Sequence, residues 1–452
     1  MKRIVFPFRA LISLALLSLA PVAVAATRPH YGGTLRVAMQ SAPTTLDLPT
    51  SAAPNDYFDI ARVLALIGDN LVKVDAQNRP QPALAVSWQS DSTARHWQFT
   101  LRPGAKFHDG TNASASLIAQ ILVTLHPEWN ARAALDVLTI DTDISTPSLL
   151  AELALPRNLL LSRSASGIPI GTGPFRVADF QPGKSLKLVA SEDAWSGRPY
   201  LDSIEIEFGK SLRDQAVALD LGRADVIEAA PQPNPSPRVR TTLPLSLMAL
   251  VFTPNTKAQD VRQREALALA IDRKPIQSVL LKGAAEPTAS ILPNWMTGYS
   301  AAFPTQVNVQ RAKAVLASSR QPALTLSYDP RDPQAQLIAE RIALNARDAG
   351  ITVQVSLSGP DDVRLVRLVL PSPDPALTLR ETARQLSLSA PVLHGNAVEG
   401  LYQAERSLLD GNSVIPLFHI PIASAAGSRV RAWVPDSIGA WNLFSAWLED
   451  SR

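Results

Sequence analysis

Gly32-Gly33-Thr34-Leu35-Arg36-Val37-Ala38 stands where an export signal gives way to folding sequence. Over residues 34–39 polar and apolar side chains alternate, a period of two that predicts a half-buried strand, and Ser41-Ala42-Pro43-Thr44 forces a loop directly after it. Upstream, Lys2, Arg3 and Arg9 are positive, residues 10–20 are almost wholly apolar, and Ala23-Val24-Ala25 supplies small residues for cleavage; together they predict a signal peptide, 1–25, removed before Ala26. The apolar core is shorter than the roughly 20 residues a membrane anchor needs, and Pro21 interrupts its end. The strand therefore opens a mature chain that works outside the cytoplasm.

The chain has no cysteine, so neither lipid attachment through a terminal Cys nor a disulfide framework is available. A free periplasmic protein of a Gram-negative cell is expected. Removing residues 1–25 takes three basic and no acidic residues, which brings the formal charge from +3 to zero. The basicity belongs to the signal. No Lys/Arg run is left to suggest nucleic acid or an anionic membrane surface, and no further segment has the apolar length of a membrane span. A mature length of about 427 residues corresponds to on the order of three domain-sized units. A hydrophobic fraction of 46% is ample for packed cores, and 37 prolines predict stiff, extended connections.

Beyond the first strand, the spacing of Tyr57, Ile60, Ala61, Leu64 and Ile67 marks one face of a helix. Residues 83–88 and His96–Leu101 read as a hairpin with Trp97, Phe99 and Leu101 on its core face. Gly171-Thr172-Gly173-Pro174-Phe175 opens another strand, and Ser185–Ala190 follows a Pro182-Gly183 turn. The second half holds a βαβ unit: strand Leu324–Tyr328, a helix over 333–349 with Ile338, Ile342, Ala346 and Ala349 on one face, Gly350 at its C-terminal cap, and a strand over 351–357. Pro231-Gln232-Pro233-Asn234-Pro235-Ser236-Pro237 is a stiff polar connector.

Five segments, in this order, resemble the periplasmic solute-binding proteins of family 5, which serve peptide, dipeptide and nickel ABC importers. They are Gly33-Thr34-Leu35-Arg36-Val37; Asp69-Asn70-Leu71-Val72 with Pro82-Ala83-Leu84-Ala85-Val86-Ser87-Trp88; the run from Trp97-Gln98-Phe99 through Phe107-His108-Asp109-Gly110-Thr111; Gly171-Thr172-Gly173-Pro174-Phe175; and the run from Val261-Arg262 through Ala270-Ile271-Asp272-Arg273. The resemblance implies an α/β, two-lobed periplasmic binding protein fold of type II-like organisation, with an extra subdomain in the first lobe and the ligand cleft between the lobes. It divides the chain into a first lobe of 26–55, 166–250 and 414–452, a subdomain of 56–165 and a second lobe of 251–413. Its partners would be a small-molecule or peptide ligand and the permease subunits of an ABC transporter, and the protein would be a monomer without a cofactor.

The chain departs from its peptide-binding relatives in the second lobe. Those relatives share a Trp, then an Asp whose carboxylate pairs with the peptide's α-amino group, then an acidic-Pro pair three residues on. The corresponding stretch here is Leu368-Val369-Leu370-Pro371-Ser372-Pro373-Asp374-Pro375, with Leu368 in place of the Trp and Pro371 in place of the Asp. Only Asp374-Pro375 keeps the pattern. The segment over 357–363 is also short for the family.

Candidate ligand contacts follow from this placement and from side-chain chemistry. Ser41 and Thr44 lie in the loop after the first strand, where open α/β sheets bind ligands. Asn255 belongs to Phe252-Thr253-Pro254-Asn255-Thr256, read as the first lobe-crossing strand, either hinge or contact. Trp295 and Tyr299 sit in a loop from which aromatics stack on ligands or pack under the lobe. Asp374 is the nearest acid to the lost one, and Trp441 near the C-terminus either reaches the cleft or caps the first lobe.

No catalytic or metal set is expected. The six histidines, at 30, 96, 108, 126, 394 and 419, form no short-spaced pair with a nearby acid. Pro182-Gly183-Lys184-Ser185 lacks the first glycine of a phosphate loop, where Ala178 stands, and no Gly-x-Ser-x-Gly elbow occurs. The expectation is a non-enzymatic binding protein of an ABC importer. The alternative is a degenerate member that senses a solute or assists a partner protein.

Overall fold

The computed structural model describes residues 28–48, 54–75, 77–258, 260–317, 322–357, 361–393, 397–433, 435 and 439–449; the expected export signal lies outside the described residues. Among the described residues, one sheet of eleven strands runs through both halves of the molecule. At the first-lobe end, Thr34–Ala38 is flanked in parallel by Ser203–Glu207 and Val226–Ala229. At the other end, Val363–Val369, Leu324–Tyr328 and Val353–Ser356 carry the βαβ unit, whose strands are parallel and whose helix is Ala335–Asp348. Gly350, after that helix, has φ +87°, the left-handed conformation a helix terminus there requires.

The two halves are joined by the long antiparallel strands Val239–Phe252 and Val414–Ala426. From Leu245 to Phe252 every residue is buried, because the strand lies between cores on both faces: Met248, Leu250 and Phe252 face one, Leu247, Ala249 and Val251 the other. Pro244 stands opposite Pro421, and the register slips on both sides of that pair. Neither proline has an N–H to give the ladder. The lobes therefore cross at Thr242–Ser246, not at Phe252-Thr256 as the sequence reading has it. Phe252 is already within the second lobe, paired with Val363.

The first-lobe core joins Leu35, Val37, Leu186, Ile204 and Ile206 of the sheet with Trp433, Trp441, Leu443 and Leu448 from the C-terminal segment. Helix Pro54–Ile67, assigned from residue 56 to the subdomain on sequence grounds, adds Ile60, Val63, Leu64 and Ile67 to this same core. The subdomain has its own four-stranded sheet and a core running from Leu71 to Leu160. In its hairpin Trp97, Phe99 and Leu101 are buried.

The glycines of Gly171-Thr172-Gly173 let this chain lie against the end of helix Pro54–Ile67. A Cβ on Gly171 would fall 2.2 Å from the carbonyl oxygen of Ile67, and Gly173 donates its N–H to that oxygen at 2.8 Å. Asp69 accepts from Thr172 Oγ1 and Trp195 Nε1, both at 2.8 Å, and burial raises its carboxyl above the ordinary range. Arg273, which closes the helix Val261–Ala270 motif, is buried and donates Nη2 to the Pro416 carbonyl at 2.8 Å. These family motifs hold lobe to subdomain and helix to crossing strand.

Candidate functional site in the interlobe cleft

A cavity of about 560 Å³ lies where the strands cross. Its first-lobe wall is built from Gln40 and Ser41, from Asp56, Phe58, Asp59 and Arg62 of helix Pro54–Ile67, and from residues 228–231; Ser246, Ile422 and Ala423 form the floor. The second-lobe wall comes from Val279, Leu280 and Lys282, the turn Asp329 to Gln334, Leu337, Arg367 and Val369.

Arg62, 2% exposed, anchors the first wall. Its Nη2 donates to Glu228 Oε1 at 2.7 Å and also to Asp59. Its guanidinium carbon lies 4.5 Å from the ring centroid of Trp441 and 4.8 Å from that of Phe58, so two aromatic faces clamp it. Glu228 Oε2 accepts further from the Gln40 N–H at 2.6 Å and from Gln215 Nε2 at 3.2 Å. Two carboxylates thus share one arginine. Burial pushes the Asp59 carboxyl up to about 7, with the Glu228 charge acting in the same direction and Arg62 opposing.

A second charged group bridges the lobes. Arg331 donates Nη1 to Asp56 Oδ1 of the first lobe at 2.6 Å, and Nη2 and Nε to Asp329 at 2.7 and 3.0 Å. Gln40 Nε2 donates to the Arg331 carbonyl at 2.9 Å. The hydrogen bond with Asp329 holds the Arg331 guanidinium above its ordinary pKa. On another flank Glu381, buried in helix Pro375–Gln385, accepts from Arg384 Nε at 3.0 Å and lies 3.5 Å from Arg157 Nε of the first-lobe side. At the floor, Arg367 donates Nε to Ser246 Oγ at 2.9 Å. Paired charges, aromatic faces and apolar side chains such as Val279, Leu337 and Ile422 make a surface suited to enclosing a small polar solute.

Of the seven residues singled out from sequence, Ser41 lines the cavity and donates Oγ to Asp56 at 3.3 Å. Trp441 is buried behind Arg62. The other five lie off the cavity lining. Thr44 is exposed in its loop. Asn255 is exposed in a turn with φ +60° at the far end of the crossing strand. Trp295 donates Nε1 to the Pro244 carbonyl at 3.1 Å, and Tyr299 donates its hydroxyl to buried Glu405 at 2.8 Å. Asp374 caps helix Pro375–Gln385 by accepting from the Leu377 N–H at 2.8 Å. Arg62, Glu228, Arg331 and Arg367 were not singled out. A usable signal exists for two of them: Arg62 interrupts the apolar run from Ile60 to Ile67, and Arg367 the run from Leu365 to Leu370.

A family model described as bacterial extracellular solute-binding proteins, family 5 Middle, matches residues 79–367. The chain belongs to this family of solute-binding proteins. The nickel-binding protein NikA of Staphylococcus aureus is 24% identical over 324 residues, 65% of each chain, and the nickel-binding periplasmic protein of Escherichia coli K12 is 24% identical over 366 residues, 70% of this chain and 69% of that protein. The match thus spans about two thirds of these relatives. Among solved structures, the binding protein AgaA of A. tumefaciens R10 in complex with agropinic acid superposes with a TM-score of 0.79 at 20% identity, covering 93% of this chain and 99% of that one. DppA of Helicobacter pylori in complex with the peptide STSA gives 0.77 at 17% identity, with 93% and 99% covered. These likenesses establish the two-lobed fold. Among the described residues no group of three His, Asp or Glu side chains is placed to hold a metal ion, and no helix is long and apolar enough to cross a membrane.

Proposed function

We infer that this chain is the substrate-binding protein of an ABC importer, exported to the periplasm by residues 1–25, and that it captures a peptide-like or other small solute by closing its lobes. The observation that carries the reading is the cavity of about 560 Å³ walled by both lobes and floored by the strands that join them. Closure about the Pro244–Pro421 crossing would enclose the ligand and bring the two lobe surfaces into one face for the permease. Binding requires the protein alone, as a monomer; no cofactor enters the reading.

The test is mass spectrometry of solute that co-purifies with protein taken from the periplasm, followed by small-angle scattering of the emptied protein before and after that solute is returned. A smaller radius of gyration with unchanged secondary structure is expected. Identical scattering curves at saturation would overturn closure, and an intact mass still including residues 1–25 would overturn the export reading.

A further inference from the structure

We propose that the solute enclosed by the two lobes is an uncharged compound, with an apolar flank that lies on Val279 and Leu337 of the second lobe and an oxygen acceptor that meets the Ser246 hydroxyl at the floor; this rests on the solute-binding reading above. The lining carries five carboxylates against Arg62, Lys282, Arg331 and Arg367, so neither sign is in clear excess. Asp59 and Glu228 are engaged by Arg62, Asp56 and Asp329 by Arg331, and Asp332 accepts from the Gln334 N–H at 2.9 Å in the turn before helix Ala335–Asp348. Lys282 is exposed at the rim, where water and salt screen it. A cationic solute would reach a counter-charge by parting one of these pairs, and an anionic one would meet no surplus of positive charge. Enclosure without a counter-charge weakens binding a hundredfold or more.

The apolar side chains of the second-lobe wall are left to water. Val279 is 69% exposed and Leu337 52%, although both line the cavity. Gln334 Nε2 donates to the Leu280 carbonyl at 2.7 Å, which ties the turn Ile276–Leu280 to the start of helix Ala335–Asp348 and sets the two side chains on one wall. From the first lobe Phe58 and Ile422, each half-buried, line the same cavity. A solute that covers these groups removes apolar surface from water, the main driving force of burial. At the floor, buried Ser246 accepts from Arg367 Nε at 2.9 Å, and its own O–H has no acceptor among the described residues. A hydroxyl both accepts and donates. One neutral donor is therefore available there for a carbonyl, ether or hydroxyl oxygen of the solute.

The test uses the full mature protein and the low-molecular-weight fraction of a bacterial culture extract, divided on a mixed-bed ion-exchange resin into an unretained, non-ionic part and an eluted, ionic part. Compounds that stay with the protein after washing are released and identified by mass spectrometry. Retention is expected from the non-ionic part, of compounds that combine an oxygen acceptor with a hydrocarbon portion. The double variant Val279→Ser, Leu337→Ser should bind such a compound about tenfold more weakly than the wild type; unchanged binding would overturn the apolar contact. If the double variant melts at a lower temperature, Val279→Ser alone decides, with binding about threefold weaker expected and unchanged binding going against the proposal. Preferential retention of ionic compounds would overturn the uncharged solute while leaving the solute-binding reading intact. Retention of nothing from either part would overturn both.

Discussion

Arg331 of the second lobe donates to Asp56 of the first at 2.6 Å, and its own carbonyl accepts from Gln40 of that same first lobe at 2.9 Å. One residue thus ties the lobes through both its side chain and its backbone. Asp329 aims the guanidinium by taking its other donors, so little rotamer freedom is left to lose when the lobes meet. The pair is partly exposed, 39% and 26% on its two side chains, which limits its contribution to about 0.2–1 kcal/mol. Such a contact biases closure without locking it. A ligand can then decide the equilibrium.

Replacement of Arg331 by Met should accordingly loosen the closed state. The expected outcome is solute affinity weaker by about two- to fivefold, with a larger radius of gyration in scattering and a nearly unchanged melting temperature. Unaltered affinity together with unaltered scattering would show that the Arg331–Asp56 pair does not act in closure.

Tyr299 should matter for stability and not for ligand. Its hydroxyl is one of four donors on the buried Glu405 carboxylate, beside Ser290 Oγ at 2.7 Å, the Leu292 N–H at 3.0 Å and the Ile291 N–H. Tyr299→Phe removes one bond and should cost about 1 kcal/mol, whereas Glu405→Ala strands several buried donors and should cost about 3 kcal/mol or more. Urea unfolding of the two variants checks the order. A loss of solute affinity in a Tyr299→Phe protein that melts like the wild type would return the tyrosine to the cleft.

Two buried groups oppose one another in their pH dependence. Asp59 ionises at 3.8 in an unfolded chain and near 7 in the fold, so the folded state holds the extra proton and stability from this group falls as pH rises from about 4 to 7. His419 is pushed by burial from 6.5 down to about 4, so here the unfolded chain holds the proton and stability is lost as pH falls from about 6.5 to 4. Its Nε2 lies 2.9 Å from the Ile291 carbonyl, a bond that a glutamine can replace in kind. Thermal melts across pH 4–8 should show Asp59→Asn gaining on the wild type as pH rises and levelling off above about 7. His419→Gln should gain on it as pH falls below about 6.5. Differences from the wild type that do not vary with pH would refute both assignments.

The elements were legible in the sequence where one physical signal dominated. Alternation gave the strand at Thr34–Ala38 and the hairpin around Trp97 and Phe99, and helical spacing with Gly350 gave the βαβ unit. The crossing point was not legible, because Pro244 and Pro421 take their meaning from facing each other 177 residues apart. For Trp295 and Tyr299 the choice between ligand stacking and packing under the lobe stayed open for the same reason: their partners, the Pro244 carbonyl and Glu405, are distant in sequence. Of the cavity-wall arginines, Arg62 and Arg367 stand as charges inside apolar runs, a signal that was there to be used, whereas Arg331 lies in a polar turn. What sequence could not supply was which carboxylates would meet them, since Glu228 reaches Arg62 across 166 residues.

The last prediction concerns free peptides. By the resemblance read from sequence, Pro371, just past strand Val363–Val369, takes the place of the relatives' carboxylate, and the nearest acid, Asp374, has its Oδ1 on the Leu377 N–H as a helix cap. Neither residue lines the cavity; of the carboxylates that do, Asp59 and Glu228 are engaged by Arg62, Asp56 and Asp329 by Arg331, and Asp332 accepts from the Gln334 N–H within its turn. An ammonium enclosed without a counter-charge carries a desolvation cost of several kcal/mol, and at about 1.4 kcal/mol per tenfold this weakens binding a hundredfold or more. Unmodified di- and tripeptides should therefore bind poorly, and acetylation of the amino group should not weaken binding further. Calorimetry with alanyl-alanine, trialanine and their N-acetyl forms is the direct measurement. Submicromolar binding of the unmodified peptides that survives Asp374→Ala would show that the cleft supplies an acid for the amino group after all, and the exclusion would fall with it.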